Sequence, residues 1–197
     1  MDKLQQNFEQ SVNEENKVIL RPAQVEDGAA LLEIYRPYIE RTAITFEYTV
    51  PTVGEFQGRI RQTLERYPYL VAEENGIIVG YAYLSTFKNR AAYDWSAETS
   101  IYLRMDCRRR GIGTRLYHGL EQAAGQMGLC NLNACVAAPP VEDEYLTMDS
   151  VRFHEYMGYS PVGTFHNCAY KFGRWYNMMW LEKMVGEHGE KMKKPWG

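Results

Sequence analysis

A basic stretch that runs directly into two glycines marks the middle of the chain. Three arginines, Arg108-Arg109-Arg110, are followed by Gly111-Ile112-Gly113, where a pattern typical of an amphipathic helix begins. Glycines have no Cβ, so backbone N–H groups can approach an anion closely, and the positive end of a helix dipole favours negative charge. Arginine adds bidentate contacts to phosphate oxygens. The stretch therefore predicts a phosphate-binding turn. The alternative is that the arginines are simply exposed to solvent before an ordinary helix.

Two other kinds of phosphate site do not fit this stretch. A Walker loop needs Lys and then Ser or Thr after its last glycine, whereas Thr114 and Arg115 follow Gly113. A dinucleotide-binding turn needs a third glycine where Leu116 stands, within a regular βαβαβ pattern that the sequence lacks. The formal net charge of the whole chain is -3, so no overall basic field attracts nucleic acid. The arginines are a local feature, and nucleic acid is not an expected partner.

Length and composition limit the class of protein. A chain of 197 residues, 45% of them hydrophobic, is long enough to bury the core of one domain. Its first residues are polar and lack the apolar segment of a signal peptide, and no run approaches the ~20 apolar residues that span a bilayer. We therefore expect a soluble, cytoplasmic protein without a membrane partner. The four cysteines form no CxxC pair and have no His at zinc-ligand spacing, so we expect reduced thiols and no metal.

Strand and helix signals alternate along the chain without internal repeats. Strands are predicted at 18–22, 69–73, 77–86, 93–103, 129–136, 162–172 and 175–182. Helices are predicted at 24–39, between Pro51 and Pro68, at 111–127 and at 150–157, with a loop at 42–49. The order β-α-α-β-β-β-α-β-α-β-β predicts an α/β fold, a mixed sheet flanked by helices. We predict one domain at 17–185, between a polar extension at 1–16 and a loose, charged tail at 186–197.

The arginine–glycine stretch resembles the Q/R-x-x-G-x-G/A pyrophosphate loop of the GNAT family of N-acetyltransferases. As in that family, it follows a long strand and opens an amphipathic helix. The resemblance implies a mostly antiparallel central sheet and acetyl-CoA as the cosubstrate. It also implies a set of cofactor-binding residues. These are the loop and helix start, Arg108, Arg109, Arg110, Gly111, Ile112, Gly113 and Thr114, and the strand backbone at Ile101, Tyr102 and Leu103.

Four further segments resemble one branch of this family, the phosphinothricin/methionine sulfoximine acetyltransferases. They are ERYPYLVAEENGIIVGYAY, KNRAAYDWSAETSIYL, SVRFHEYMGYSPVGT and KFGRWYNMMW. The branch acetylates the α-amino group of small amino-acid analogues and is generally homodimeric, so the resemblance implies both properties. The chain departs from the branch at 138–148, a longer loop in which Thr147 stands where the branch has a cofactor-binding Asn.

Acetyl transfer to an amine needs a base that removes the amine proton. Alternation along the predicted strand places Ser96, Glu98, Ser100 and Tyr102 on one face and Trp95, Ala97, Thr99, Ile101 and Leu103 on the other. Burial would raise the pKa of a mid-strand carboxyl and suit Glu98 to this work, although such a residue is otherwise often a plain surface group. The resemblance implies that Glu98 is the catalytic base.

Five other residues are candidates for the site. Many members of the family carry, at the position of His154, a tyrosine that protonates the departing thiolate; a structural His beside Tyr159 is the alternative. A substrate carboxylate needs a cation, and we predict Arg90 in this role, with Lys88 as the second choice. Phe46 and Tyr93 are predicted to border the substrate.

The sequence therefore predicts an acetyl-CoA-dependent N-acetyltransferase that acts on the α-amine of a small amino-acid-like molecule. Two alternatives stay open. The same site could acetylate a protein or peptide amine, or the chain could be a non-catalytic sensor that binds acyl-CoA without turnover.

Overall fold

The fold is a sheet of seven strands with helices on both faces, in a computed structural model that describes residues 18–190 and 192–195. The strands are β1 Ile19–Pro22, β2 Tyr69–Glu74, β3 Ile77–Thr86, β4 Ser96–Leu103, β5 Asn131–Ala138, β6 Ser160–Lys171 and β7 Arg174–Met184. The helices are α1 Gly28–Arg41, α2 Val53–Leu64, α3 Ile112–Met127 and α4 Asp149–Tyr156. This order confirms the predicted α/β architecture. Within the described ranges, no helix is long and apolar enough to cross a membrane.

The sheet is antiparallel at every pairing except one. Its strand order is β1-β2-β3-β4-β5-β7-β6, and β4 and β5 run parallel. They pair over three positions only, from Ser96↔Asn131 to Glu98↔Asn133, while β5 goes on to pair with β7 as far as Ala138. Beyond Glu98 the two strands therefore separate. We call the gap between residues 99–103 of β4 and residues 134–138 of β5 the wedge.

The alternation of strand side chains divides the interior into two cores. One side packs against α1 and α2 and is rich in aromatic rings: Tyr35, Tyr38, Phe56, Tyr69 and Tyr81. The other side packs against α3 and α4 and is mostly aliphatic: Ala72, Leu84, Ala97, Leu116, Leu120, Leu132 and Val151. The apolar stripes of the helices thus face the sheet as their spacing predicts.

One predicted strand begins later than its sequence pattern indicates. Residues 91–93 form a 3-10 helix, and β4 starts only at Ser96. The N–H groups of Tyr93 and Asp94 bond back to the carbonyls of Arg90 and Ala91, so they cannot join the sheet. The prediction of a strand from Tyr93 was wrong, and Tyr93 lies on a turn.

The structure describes most of the C-terminal tail, whereas the predicted N-terminal extension at 1–16 lies outside the described residues. The described part of the predicted tail runs past the start of β4 and β5: the indole N–H of Trp95 donates to the Lys193 carbonyl over 2.9 Å, and His188 Nε2 lies 2.8 Å from the Asn131 side-chain oxygen. The domain bounds themselves stay a prediction.

Candidate active site

The turn before α3 has the backbone geometry of an anion site. Gly111 precedes the helix in the left-handed conformation, with φ of 76°, and Arg109 is left-handed as well, with φ of 61°. Such values strain any residue other than glycine and recur at functional turns. Gly113 is buried, and a Cβ there would lie 3.2 Å from the Phe153 ring. The turn therefore leaves the first N–H groups of α3 free of side chains.

A groove of about 400 Å³ opens at this helix end. Its lining comes from the turn and helix start (Arg108, Arg109, Gly111, Ile112, Gly113, Thr114), from β4 (Ile101, Leu103), from α4 (Asp149, Ser150, Arg152, Phe153, Tyr156), and from Tyr38, Ile44 and Thr147. Eight of the ten predicted cofactor residues lie here. The groove lies at the positive end of a helix, which favours the phosphates of a nucleotide-like cofactor.

Arg110 is the predicted loop residue that points elsewhere. Its guanidinium forms a bidentate ion pair with Glu74, with Nη1 3.1 Å from Oε2. Arg108, by contrast, lies over the Tyr38 ring at 5.4 Å, and Arg109 is almost fully exposed beside Asp149. Two of the three arginines therefore remain at the groove, while Arg110 holds the turn to the end of β2.

Backbone groups of β4 face the wedge at alternate residues. The Leu103 N–H donates to the Tyr38 hydroxyl over 3.2 Å, and that hydroxyl donates to the Leu103 carbonyl over 2.6 Å. The next residue, Arg104, donates its N–H to Val79 on the opposite side, in β3. Because strand backbone groups alternate in direction, Ile101 and Leu103 present their N–H and C=O groups to the wedge.

The backbone of Tyr102 does not face the wedge, contrary to the prediction, because backbone groups alternate in direction along β4. Its backbone groups point toward β3, where it is paired with Tyr81. Its side chain packs among the rings of Tyr35, Tyr38 and Tyr81, with centroids 4.8 to 5.4 Å away. Tyr102 thus supports the wall of the site from behind and offers the wedge no backbone donor.

Glu98 occupies the point at which β4 and β5 part. Its side chain is half-buried, and burial raises the pKa of its carboxyl above the ordinary glutamate value, a shift that nearby Lys88 opposes. No hydrogen bond joins this carboxyl to another described residue. A half-buried carboxylate with a raised pKa and free lone pairs can accept a proton from an amine.

Lys88 lies close enough to Glu98 for their charges to interact, and aromatic side chains contact Lys88. The Lys88 ammonium lies 5.0 Å from the ring centroids of both Phe87 and Trp180. The Tyr93 ring contacts Phe87 at 5.8 Å, edge to face. Arg90 is exposed and forms no ion pair within the described part of the chain. Of the two candidate cations, Lys88 is the one that faces the carboxylate of Glu98.

Phe46 lies in the segment 42–49, at the far side of the same face. It is half-buried against a small cluster that contains Ala137, Leu146 and Tyr176. Two hydrogen bonds tie this segment to the end of β6: Tyr48 donates to the Tyr170 carbonyl, and the buried Lys171 ammonium donates to the Thr45 carbonyl over 2.7 Å. Phe46 is therefore held in place by its neighbours on both sides.

His154 is enclosed and already bonded at both ring nitrogens. It is 3% exposed; Nδ1 lies 2.7 Å from the Ser150 carbonyl, and Nε2 lies 2.7 Å from the Tyr117 hydroxyl. A carbonyl only accepts, so Nδ1 carries the ring proton and Nε2 accepts from Tyr117. Burial lowers the pKa of His154, which keeps the ring neutral. In this arrangement the ring has no free proton to give to the groove.

The longer loop before α4 is built around Asp143. Its Oδ1 accepts the N–H groups of Tyr145 and Leu146 at 2.8 Å each, and its Oδ2 accepts the Tyr176 hydroxyl at 2.9 Å. Thr147 ends this loop and lines the groove. The loop thus brings Thr147 to the cofactor side even though the expected Asn is missing.

Several side chains of the site were not singled out from the sequence, among them three that belong to its walls. Tyr38, Ile44 and Tyr117 look like ordinary core positions, because helical spacing accounts for the two tyrosines and Ile44 sits in a loop. Among the described residues, no group of three or more His, Cys, Asp or Glu side chains could hold a metal ion.

Comparison with known proteins agrees with this geometry. The family described as Acetyltransferase (GNAT) domain matches residues 20–180. Phosphinothricin N-acetyltransferase of Streptomyces viridochromogenes is 34% identical over 165 residues, 84% of this chain and 86% of that protein. The L-methionine sulfoximine/L-methionine sulfone acetyltransferase of Salmonella typhimurium is 28% identical over 86% of this chain and 95% of its own length.

The solved structures give the same result. The crystal structure of a GNAT superfamily phosphinothricin acetyltransferase from Sinorhizobium meliloti, in complex with acetyl-CoA, superposes with a TM-score of 0.81. It is 30% identical and covers 90% of this chain and 94% of that one. The family match spans most of the chain, and the turn, groove and wedge lie within it. This chain therefore belongs to the GNAT family of acetyltransferases.

Proposed function

We propose that this chain transfers the acetyl group of acetyl-CoA to the α-amino group of a small amino-acid-like substrate. One observation carries the proposal: the wedge in the sheet connects the groove at the start of α3 with the half-buried carboxylate of Glu98. A thioester in the groove and an amine beside Glu98 would meet at the wedge. The names of the relatives, phosphinothricin and methionine sulfoximine acetyltransferases, support an acceptor of this class.

Different residues of the groove bind different parts of acetyl-CoA. The N–H groups at the start of α3, with Arg108 and Arg109, receive the pyrophosphate. The wedge-facing backbone of Ile101 and Leu103 receives the pantetheine amides, which need hydrogen-bond partners in a half-buried groove. Tyr38 already occupies both backbone groups of Leu103, so its hydroxyl must shift or share them when the cofactor enters.

Glu98 supplies the chemistry of the acceptor side. The substrate enters as an ammonium ion, and the carboxylate of Glu98 takes one proton, directly or through one water. The free amine attacks the thioester carbonyl carbon, the C–N bond forms, and the C–S bond breaks as CoA leaves as a thiolate. The nitrogen then loses its second proton to water, which gives the neutral amide, and Glu98 returns its own proton to solvent. Because His154 is neutral and bonded at both nitrogens, the thiolate takes its proton from water at the open groove.

Lys88 is the cation best placed for the carboxylate of an amino-acid substrate. Its ammonium is held between two aromatic rings and faces Glu98. A substrate bound between them would place its anionic end on Lys88 and its amine on Glu98. Arg90, the first choice from the sequence, stands on the exposed rim, where it adds a second positive charge.

We further propose that the chain acts in the cytoplasm and forms a homodimer, and the edge of the sheet supports the homodimer. Among the described strands, none pairs with the outer side of β6. Strands β6 and β7 carry exposed apolar side chains: Val162 60%, Phe165 59%, Tyr170 49% and Trp175 57%. Exposed apolar surface next to an open strand edge favours association. Sedimentation equilibrium would give twice the monomer mass, and the double variant Phe165→Lys, Trp175→Lys would return it to the monomer.

The function is tested by release of CoA from acetyl-CoA with a panel of acceptors. The panel holds free L-amino acids, phosphinothricin, methionine sulfoximine, peptides with a free α-amine and simple uncharged amines. We expect turnover with one or more free amino acids or analogues, and loss of it in Glu98→Gln. Turnover only with peptides would favour the peptide-amine alternative, and tight acetyl-CoA binding with no turnover would favour the sensor.

A further inference from the structure

Lys171 is a buried charged residue that the proposed chemistry does not use. It ends β6, is 2% exposed, and donates from its ammonium to the Thr45 carbonyl over 2.7 Å. Among the described residues, this carbonyl is its one hydrogen-bond partner, and none of their carboxylates lies at ion-pair distance. A buried ammonium without a counter-ion is costly and therefore rare in proteins. Its position in the fold calls for an explanation.

Stability alone does not account for this lysine. Burial lowers the pKa of Lys171 to about 8, and the nearby charge of Glu47 opposes the shift. The Phe172 ring, 5.1 Å from the ammonium, adds a cation–π contact. Apolar side chains of similar volume can often replace buried charged groups without loss of stability. The buried charge therefore indicates a role in placing the group to which it bonds.

The segment that accepts this bond, residues 42–49, lies between α1 and α2 in the chain and contains no helix or strand. On the side of those helices, the Thr45 and Tyr35 hydroxyls lie 2.8 Å apart, and Glu47 forms an ion pair with Arg59 at 2.7 Å. Thr45 is 8% exposed, so without the ammonium its carbonyl would lack a described partner. An unpaired buried carbonyl is costly, so the backbone at Thr45 would then shift toward another partner.

The turn between β6 and β7 also supports a second bond to this segment. Its two residues, Phe172 and Gly173, are both left-handed, with φ of 51° and 76°. The Phe172 ring stacks on the Tyr145 ring at 4.4 Å, and the Tyr145 carbonyl accepts the Ala43 N–H over 3.0 Å. Two bonds from this end of the sheet therefore reach the segment, at residues 43 and 45.

The segment 42–49 borders both halves of the proposed site. On the cofactor side, Ile44 lines the groove. On the acceptor side, burial raises the pKa of the Tyr83 hydroxyl, and the charges of Glu98 and Glu47 add to the shift. Both carboxylates therefore lie near the same ring, and the segment lies close to the proposed base. A small displacement of the segment would change the walls around the substrate.

We propose that Lys171 is a positioning residue for the acceptor. By fixing the Thr45 carbonyl, it holds the neighbouring side chains of Ile44 and Phe46 beside the substrate without touching the reacting atoms itself. A charged donor suits this role, because its bond to a carbonyl is stronger than that of a neutral donor. This proposal rests on the proposed function, since positioning matters only if an acceptor binds beside Glu98.

The test replaces Lys171 by Met, which has a similar length but neither a charge nor a hydrogen-bond donor. The KM of the best free amino-acid acceptor should rise about tenfold or more, because small displacements of positioning groups are costly. The kcat at saturating acceptor and the Kd of acetyl-CoA should stay within about twofold of wild type, because Glu98 and the turn before α3 are unchanged. Hydrogen exchange, followed by mass spectrometry, should be faster across residues 42–49.

A second variant, Tyr48→Phe, weakens the same attachment at an exposed position. The Tyr48 hydroxyl donates to the Tyr170 carbonyl in β6, so its loss should raise the acceptor KM in the same direction but by less. Thermal melting confirms that each variant is folded. If Lys171→Met does not fold, an acceptor KM that is unchanged in Tyr48→Phe would overturn the proposal.

Lys183→Met is the matched control. Lys183 lies in β7 and also donates to a backbone carbonyl, that of Met157, over 2.7 Å. It pairs with Glu121 on the α3 side of the sheet, away from the segment 42–49. The control should keep the wild-type acceptor KM and the wild-type exchange at 42–49, even where its Tm falls.

The outcomes separate this proposal from the proposed function. If Lys171→Met keeps the wild-type acceptor KM, or if Lys183→Met raises it equally, Lys171 is not a positioning residue and the function stands. If the wild-type chain acetylates no acceptor, the proposed function itself fails. Exchange then decides about the attachment: faster exchange at 42–49 in Lys171→Met alone supports it, and unchanged exchange overturns it.

Discussion

The cofactor side and the acceptor side of the site are built from different parts of the chain. The cofactor side consists mainly of backbone, in the turn at 108–113 and the free edge of β4. The acceptor side consists of side chains that the topology collects from the loop after β3, from β5 and from β7, such as Lys88, Cys135 and Trp180. A backbone site constrains a few adjacent residues, whereas a side-chain site depends on long-range pairing. We therefore expect binding of the cofactor to weaken when a side chain blocks the backbone of the turn. We expect use of the acceptor to weaken when single charged side chains are removed.

The largest effect is expected at the acceptor side, from Glu98→Gln. The amide keeps the shape of the side chain but cannot take the amine proton, so kcat should fall by roughly 10² or more. The Kd for acetyl-CoA, measured by calorimetry, should stay unchanged. Glu33→Gln, a change on the exposed face of α1, serves as the control. A kcat within about twofold of wild type would leave Glu98 without a catalytic role.

A loss confined to the cofactor side is expected from Gly113→Val. The new side chain would press on the Phe153 ring, where even a Cβ lies at 3.2 Å, and would cover the N–H groups of the turn. The Kd for acetyl-CoA should rise about tenfold or more, which is roughly 1.4 kcal/mol. Gly125→Val lies in the same helix, where a Cβ meets nothing within 4 Å, and controls for loss of helix stability. Equal Kd values for the two variants would contradict the assignment of the turn.

The two cations of the acceptor side are expected to differ. Loss of a charge-assisted pair costs ~1.5–3 kcal/mol, so Lys88→Ala should raise the KM for a free amino acid by about tenfold or more. Arg90→Ala should raise it less, because that side chain is exposed and its charge is screened. Neither change should raise the KM of a simple amine that lacks a carboxylate, measured at a pH above the acid limb of the profile. If Arg90→Ala has the larger effect, the anchor predicted from the sequence is the right one.

The smallest effect is expected in the pH dependence. A base must be deprotonated to act, so kcat/KM should fall as the pH drops through the pKa of Glu98, which burial places above the ordinary glutamate value. Lys88 opposes that shift, so Lys88→Ala should raise this pKa further and move the acid limb of the profile to higher pH. A limb that does not move, or that moves to lower pH, would mean that the two groups do not interact.

The same contrast explains how far the sequence could predict the site. Gly111 and Gly113 indicate by their residue type a turn with an accessible backbone, and local patterns predicted the strand–turn–helix order around them. The ion pair of Arg110 could not be predicted, because its partner Glu74 is 36 residues away and no local pattern connects the two. The surroundings of His154 could not be predicted for a similar reason. Tyr117, which bonds to it, is spaced like any buried helix residue.

Tyr93 shows the limit of period-two patterns. Its aromatic side chain and those after it fit a strand, but hydrogen bonds to the carbonyls just before it form a turn first. Residues 91–93 thereby hold Tyr93 against Phe87 instead of in the sheet. The composition of a segment does not decide between these outcomes, because both satisfy its backbone groups.

The single parallel pair of strands has a consequence for how such a chain can change. Parallel neighbours need a crossover, and here the crossover is α3, so the segment from Ser96 to Ala138 contains the proposed base, the proposed anion-binding turn and both sides of the wedge. The acceptor-binding side chains other than Glu98 and Cys135 lie outside that segment. Substitutions that change the acceptor can therefore accumulate outside this segment while the residues that bind the donor stay unchanged. The same fold can in this way acquire new amine substrates and keep its acetyl donor.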